Sequence, residues 1–114
     1  MINISFKGFN NNCMTFSAGE GATIGAPAAL DENGKIVNAE ADEKFLGVIC
    51  NVRGDITGVQ LEGYTEAKYT GTAPSLGWAT LTADGEGGVQ ADENGTAYRV
   101  LKVDATNATV GFIL

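Results

Sequence analysis

The sequence predicts an all-β protein, a small antiparallel barrel or sandwich of short strands with at most one short helix. The chain of 114 residues contains 16 glycines, 11 threonines and 9 asparagines, and these residue types disfavour the interior of a helix. Short apolar segments recur roughly 8–12 residues apart between glycine-rich turns, which is typical of sandwiches and barrels. No βαβ spacing occurs, so parallel α/β folds are excluded and antiparallel hairpins should dominate.

The first strands follow from simple alternation. Ile2, Ile4 and Phe6 alternate with polar residues, which indicates a strand with one buried face. Glycine and asparagine interrupt this pattern at residues 8–12 before a second strand begins. Later strands are expected where β-branched, aromatic or small apolar residues cluster between turns. The predicted strands, in order, are residues 2–6, 14–17, 28–30, 36–37, 48–52, 56–61, 64–70, 78–82, 89–91, 98–103 and 110–114.

The turns between these strands carry strong local signals. Asp-Glu-Asn-Gly occurs twice, at residues 31–34 and 92–95, and glycine supplies the positive φ that tight turns need. Residues 53–55 and 84–88 are further turns, and Asn107 marks the last one. Residues 39–46, rich in Ala, Glu and Lys, are the one stretch where one or two turns of helix are expected.

Residues 25–49 and 77–101 also resemble each other. Each runs from a glycine through a small apolar strand, a glycine turn and an acidic stretch to an aromatic residue, Phe45 in one and Tyr98 in the other. A pseudo-repeat of two β modules would fit this pattern and a closed barrel, but short strands with glycine turns also look alike by chance, and the sequence does not favour the repeat over chance.

Composition restricts the function classes. Histidine is absent, which removes the usual general base and metal ligand. The net charge of −7 argues against nucleic-acid binding. The longest apolar run, residues 45–50, is far too short for a membrane span. The first residues do not have the basic region and long apolar stretch of a secretory signal. We therefore expect a soluble single domain over residues 1–114, made in a reducing cytoplasm, in which Cys13 and Cys50 are small buried hydrophobes.

Nothing in the sequence assembles into catalytic, cofactor or metal chemistry. Three acid pairs are adjacent in sequence, at residues 31–32, 42–43 and 92–93, an arrangement that makes no acid/base dyad, and they are interpreted as solvated turn acids. The Asp-Glu-Asn-Gly turns lack the remaining ligands of a calcium loop, and residues 85–88 lack the helix of a phosphate loop. Residues 53–55 read Arg-Gly-Asp, the tripeptide of integrin ligands, but their place between two strands equally predicts an ordinary hairpin tip.

Most aromatic residues are expected in the core, with Trp78 the exception because it follows a turn. Tryptophan near a turn is a candidate interface anchor. The apolar arm of Ile2, Ile4 and Phe6 is either the first strand of the domain or an extension, over residues 1–12, that adds a strand to a neighbour's sheet.

Several segments resemble the small β-rich capsid cement, or head decoration, proteins of tailed bacteriophages. The resemblance covers about two-thirds of the chain and rests on glycine and apolar spacings. Between Met14 and Gly63, the segments that carry it are Thr-Phe-Ser-Ala at 15–18, Gly-Ala-Pro-Ala-Ala-Leu at 25–30, Asn-Gly-Lys-Ile-Val at 33–37, Phe-Leu-Gly-Val at 45–48 and Val-Gln-Leu-Glu-Gly at 59–63. Residues 77–81 and the C-terminal apolar strand also look similar.

The resemblance implies a non-enzymatic virion protein, made in the host bacterium, that binds the major capsid protein on the outer surface of the expanded shell. Such proteins often bind as trimers, so a homotrimer is favoured, with no cofactor, nucleic acid or membrane partner. The candidate interface residues are Ile2, Ile4, Phe6, Phe9 and Trp78.

Two alternatives belong to other classes. A β-sandwich that binds carbohydrate or a cell-surface ligand would use Tyr64, Tyr69 and Trp78 as stacking platforms. A small enzyme built on distant carboxylates alone is the weaker alternative.

Overall fold

A computed structural model describes residues 12–114, and within that range the protein is all-β. The predicted strand at residues 2–6 lies outside the described residues. Ten strands follow one another: β1 (Asn12–Ser17), β2 (Pro27–Leu30), β3 (Ile36–Asn38), β4 (Gly47–Arg53), β5 (Ile56–Glu62), β6 (Tyr64–Thr70), β7 (Gly77–Ala83), β8 (Val89–Ala91), β9 (Thr96–Asp104) and β10 (Thr109–Ile113). The predicted strands from residue 14 onward are therefore confirmed, with small shifts at their ends.

The strands form two units. One is a five-stranded sheet in the order β1-β5-β4-β2-β3, and the other is a closed barrel in the order β10-β6-β8-β7-β9. Every named pairing is antiparallel except that of β6 with β8, which closes the barrel. The dominance of antiparallel pairing is as predicted.

Two apolar clusters are buried, one centred on the barrel and one under the open sheet. The barrel cluster also contains Ala29 of β2 and Ala39. Phe112, Val110, Leu81 and Val89 are fully buried in the barrel. A smaller cluster under the open sheet contains Ile36, Ile49, Val59, Ala26 and Ala28. The barrel cluster is the larger because closure turns one face of every strand inward.

The open sheet passes into the barrel through a single residue, Gly63, which has a φ of 86°. The buried Gln60 side chain holds this crossing, since its Nε2 donates to the carbonyl oxygens of Glu62 at 2.9 Å and Tyr64 at 2.8 Å. The amide of Leu114 donates to the carbonyl of Gly63 at 2.9 Å. The amide side chain thus bonds to carbonyl groups on both sides of Gly63.

Residues 39–46 contain no helix, contrary to the expectation of one or two helical turns. Asp42 has a φ of 67°, outside the range of a right-handed helix. The backbone here bonds to other strands, because the Asp42 amide donates to Ala83 and the Ala83 amide donates to Glu43, both at 2.9 Å. Tertiary hydrogen bonds with the end of β7 therefore replace the helical ones.

Phe45, at the end of this segment, connects the two units. It belongs to the barrel cluster, and its ring stacks on Tyr98 with centroids 5.4 Å apart and meets Phe112 at 6.3 Å. A side chain from the connection between β3 and β4 thus completes the core of the barrel.

The two similar segments form the same arrangement of three strands. In each, the first strand lies between the other two, as β3-β2-β4 in the sheet and β8-β7-β9 in the barrel. Their first turns match as well. The Asp31 carboxylate accepts from the amides two and four residues later, at 2.8 and 2.9 Å. The Asp84 carboxylate does the same at 2.7 and 2.9 Å. The pseudo-repeat that the sequence left open is therefore present in the structure, with one module in the open sheet and one in the barrel.

The expectation of buried cysteines is wrong. Cys13 and Cys50 are both exposed and are not joined by a disulfide. They lie in β1 and β4, which flank β5 in the open sheet. Strand alternation and a bulge at Cys50 place both on the outer side of that sheet, away from the apolar cluster.

Candidate docking surface

The most exposed large apolar side chains of the barrel lie at the start of β7. Trp78 is 70% exposed and Leu76 is 67% exposed, while Leu101 on β9 is 41% exposed. The register pairs Gly77 with Val100 and Trp78 with Arg99. Continuing it by one residue brings Leu76 opposite Leu101. These three side chains are called the rim patch below.

The rim patch is on the outside of the barrel because side chains alternate along a strand. In β9, Tyr98 and Val100 point into the core, so Arg99 and Leu101 point outward. Arg99 therefore borders Trp78 on the same face. The patch combines apolar surface with one neighbouring cation.

A groove of about 470 Å³ runs beside Trp78, between the β6–β7 loop and the turn after β8. Small side chains form much of its lining, and Trp78 is the largest one there. The lining residues are Thr72, Ala73, Ser75, Trp78, Ala79, Thr80, Ala91, Asp92, Glu93 and Ala97. Because alanines border the indole, the groove leaves room for a side chain from a partner.

Asp92, on the acidic wall of the groove, has a structural role. Its Oδ2 accepts from the Thr82 hydroxyl at 3.0 Å and its Oδ1 accepts from the Asn94 amide at 2.9 Å. The amide of Gly95 donates to its carbonyl. These bonds hold the carboxylate between its own turn and β7.

The other two acid pairs also bind parts of the fold. Asp31 accepts from two amides of its own turn, and Asp42 accepts from Gln90 Nε2 at 2.6 Å. Within residues 12–114, no three His, Cys, Asp or Glu side chains are grouped to hold a metal ion. The interpretation of these acids as turn residues agrees with their bonding.

The Arg-Gly-Asp sequence forms the tip of the β4–β5 hairpin. Arg53 pairs with Ile56 across the turn, and Gly54 has a φ of 58°. Glycine with positive φ at this position is what a two-residue hairpin loop requires. The Asp55 carbonyl accepts from the Ala18 amide at 2.8 Å, so the turn also anchors the end of β1.

The aromatic platform expected for a carbohydrate-binding module is not assembled. Tyr64 is 3% exposed and Tyr69 is 9% exposed, so neither ring offers a face to a sugar. Burial and a hydrogen bond to Glu66 raise the pKa of Tyr64 well above its usual value. Of the three residues proposed for stacking, only Trp78 is exposed.

Of the interface residues predicted from sequence, the structure describes Trp78 alone. Ile2, Ile4, Phe6 and Phe9 lie outside the described residues. Sequence reasoning missed Leu76, Arg99 and Leu101. Leu76 and Trp78 are two residues apart, a spacing that places both on one face of a strand, so part of the patch was readable from the sequence.

Comparison with known protein families, with curated proteins and with solved structures found no match. Residues 12–114 contain no helix long and apolar enough to cross a membrane.

Proposed function

We propose that this protein is a non-enzymatic structural protein of a bacteriophage virion. It binds the major capsid protein on the outer surface of the shell and stabilises the expanded form. The resemblance of its glycine and apolar segments to head decoration proteins suggests this role. The exposed rim patch is the single structural observation that carries it.

The rim patch has the properties of an anchor for another protein. Exposed large apolar side chains that are contiguous, with polar neighbours, are characteristic of interaction sites. Tryptophan and arginine, found here as Trp78 and Arg99, are the residue types that contribute most to binding at interfaces. A net charge of −7 suits a surface that faces away from packaged DNA.

The proposed mechanism is thermodynamic linkage. A ligand that binds only the expanded lattice stabilises it by RT ln(1 + [L]/Kd), which is about 3 kcal/mol per site at a hundredfold excess over Kd. Each shell offers many equivalent sites, so the total stabilisation is large. The proposed bound form is a homotrimer, in which each copy presents its own rim patch to the coat.

The test compares the wild-type protein with Trp78→Ala on purified expanded and unexpanded shells of the phage that encodes the chain. We expect wild-type protein to bind expanded shells only, and the variant to bind at least tenfold more weakly. Leu30→Ala is the matched control, because Leu30 is 46% exposed but lies in β2 of the open sheet. It should bind as the wild type does.

Shell stability gives the second measurement. Shells without the protein should rupture at a lower temperature, and adding it back should restore the wild-type value. Equal rupture temperatures with and without the protein would refute the role. Quenching of Trp78 fluorescence by oligosaccharides, together with no binding to shells, would favour the carbohydrate-binding alternative.

A further inference from the structure

The outer face of the open sheet brings the two cysteines of the chain together. Cys13 lies in β1 and Cys50 in β4, on either side of β5. Both line the same surface hollow of about 370 Å³. Their thiols are close enough to share a hydrogen bond.

Gly58 is the reason that the two thiols can meet. It lies in β5, between the two cysteine strands, and has no side chain to separate them. A Cβ built on Gly58 would lie 3.2 Å from Cys50 Sγ and 4.0 Å from Cys13 Cβ. The bulge between Ile49 and Asn51 in the β4–β5 pairing adds Cys50 as an extra residue on this side.

A direct disulfide fits this geometry poorly. Strands β1 and β4 are two strand spacings apart, which is about 9.6 Å. A disulfide spans Cα atoms no more than about 7 Å apart without moving the backbone. An atom placed between the two sulfurs lengthens the link and bridges them without that movement.

We propose that Cys13 and Cys50 form a two-thiolate site for a soft monovalent metal ion of the Cu(I) class, bound across Gly58. Binding is written as two thiols plus one M⁺ giving an S–M–S bridge of net charge −1 and two released protons. No electron is transferred. Thiolate sulfur is the ligand type that Cu(I) prefers.

The surroundings favour this ion over zinc. Zinc sites in proteins use three or four protein ligands, and the described part of the chain groups no three suitable side chains. A soft monovalent ion is satisfied by two sulfurs. Arg53 lines the same hollow.

Because binding releases the protons of both thiols, the apparent affinity for the metal should increase with pH.

The experiment titrates the full-length protein with Cu(I) under anaerobic conditions, with bicinchoninate as the competing chelator. We expect one Cu(I) per chain. Cys13→Ser and Cys50→Ser should each weaken binding at least a hundredfold. Both side chains are exposed, so the variants should keep the wild-type melting temperature, and native mass spectrometry checks that Cu(I) does not change the number of chains in the complex.

Two further variants make the test specific to the geometry. Gly58→Ala keeps both thiols but places a methyl group between them, and it should weaken binding at least tenfold. Met14→Leu is the control, because Met14 also carries a soft sulfur but points to the opposite side of β1 from Cys13. It should bind as the wild type does.

Unchanged Cu(I) affinity in either serine variant would overturn the proposal. A complex that forms only as a metal-bridged dimer would also overturn it, as would full affinity in a correctly folded Gly58→Ala variant.

Discussion

Single side chains fix parts of this fold through packing and hydrogen bonds, and Tyr64 is one example. Its ring lies across Gly111 of β10, where any Cβ would collide with the Tyr64 ring and hydroxyl. The hydroxyl donates to Glu66 Oε2 at 2.8 Å. A tyrosine held in this way remains protonated to higher pH than a solvated one, because burial and the nearby carboxylate both oppose the phenolate.

The raised pKa of Tyr64 predicts a loss of stability in alkali. In the unfolded chain tyrosine titrates near about 10. The contribution of the protonated Tyr64 hydroxyl to the free energy of unfolding is complete below that pH. It is lost as the pH rises toward the pKa of Tyr64 in the folded protein, by at most about 1.4 kcal/mol per pH unit. Urea unfolding of wild type and Tyr64→Phe between pH 8 and 11 should show a shallower decline for the variant. Some decline should remain, because burial also raises the pKa of Tyr98. Parallel curves would contradict the assignment.

At the scale of elements, the two three-stranded modules have the same local construction. Each has its first strand in the centre and a turn closed by one aspartate. The amide of that aspartate donates to the carbonyl four residues later, Asp31 to Lys35 at 2.9 Å and Asp84 to Gly88 at 3.0 Å. The correspondence extends to Phe45 and Tyr98, whose rings stack on each other.

Matching turns should respond alike to the same substitution. Asp31→Ala and Asp84→Ala each remove a carboxylate that accepts two amide hydrogens, and each should cost about 1 kcal/mol of stability. Asp84 also accepts from the Thr70 hydroxyl at 3.2 Å, so its variant should be at least as destabilised.

The matched controls are Glu32→Ala and Glu86→Ala, exposed neighbours in the same two turns. Chemical denaturation of the four variants makes the comparison. A cost confined to one of the two aspartates would show that the turns are not equivalent.

At the scale of the whole molecule, several contacts connect the open sheet to the barrel, and Ala29 of β2 belongs to the apolar cluster of the barrel. Gly63 joins β5 directly to β6, and the backbone of residues 42–43 bonds to the end of β7. Gln90 Nε2, in the barrel, donates a hydrogen bond to Asp42 Oδ1 at 2.6 Å. Phe45 fills the barrel from a connection that belongs to the sheet, so barrel stability depends on the sheet being folded.

Removal of Phe45 should therefore weaken the whole molecule. Phe45 is 6% exposed, and Phe45→Ala should cost about 3–5 kcal/mol, the range for deleting a buried aromatic ring. Leu46→Ala is the control, because Leu46 is 46% exposed and should cost under about 0.5 kcal/mol. Urea unfolding followed by circular dichroism measures both, and a loss below 1 kcal/mol for Phe45→Ala would contradict this role.

The sequence by itself determined the local features: the all-β class, nearly every strand from residue 14 onward and the hairpin tips. It left the pseudo-repeat open. The local features depend on alternation and on glycine or asparagine at turns, which are properties of neighbouring residues. Trp78 could be singled out in the same way, because its position after a turn marks an exposed place.

Only the tertiary structure decided the features that depend on partners distant in sequence. Residues 39–46 have helix-forming composition, yet hydrogen bonds to the far end of β7 hold them in a turn. Tyr64 and Tyr69 are buried and Cys13 and Cys50 exposed because strand pairing determines which side of each strand faces a core. The rim patch and the thiol pair each consist of residues from strands that are far apart in the chain. Local sequence patterns do not predict which strands will be neighbours.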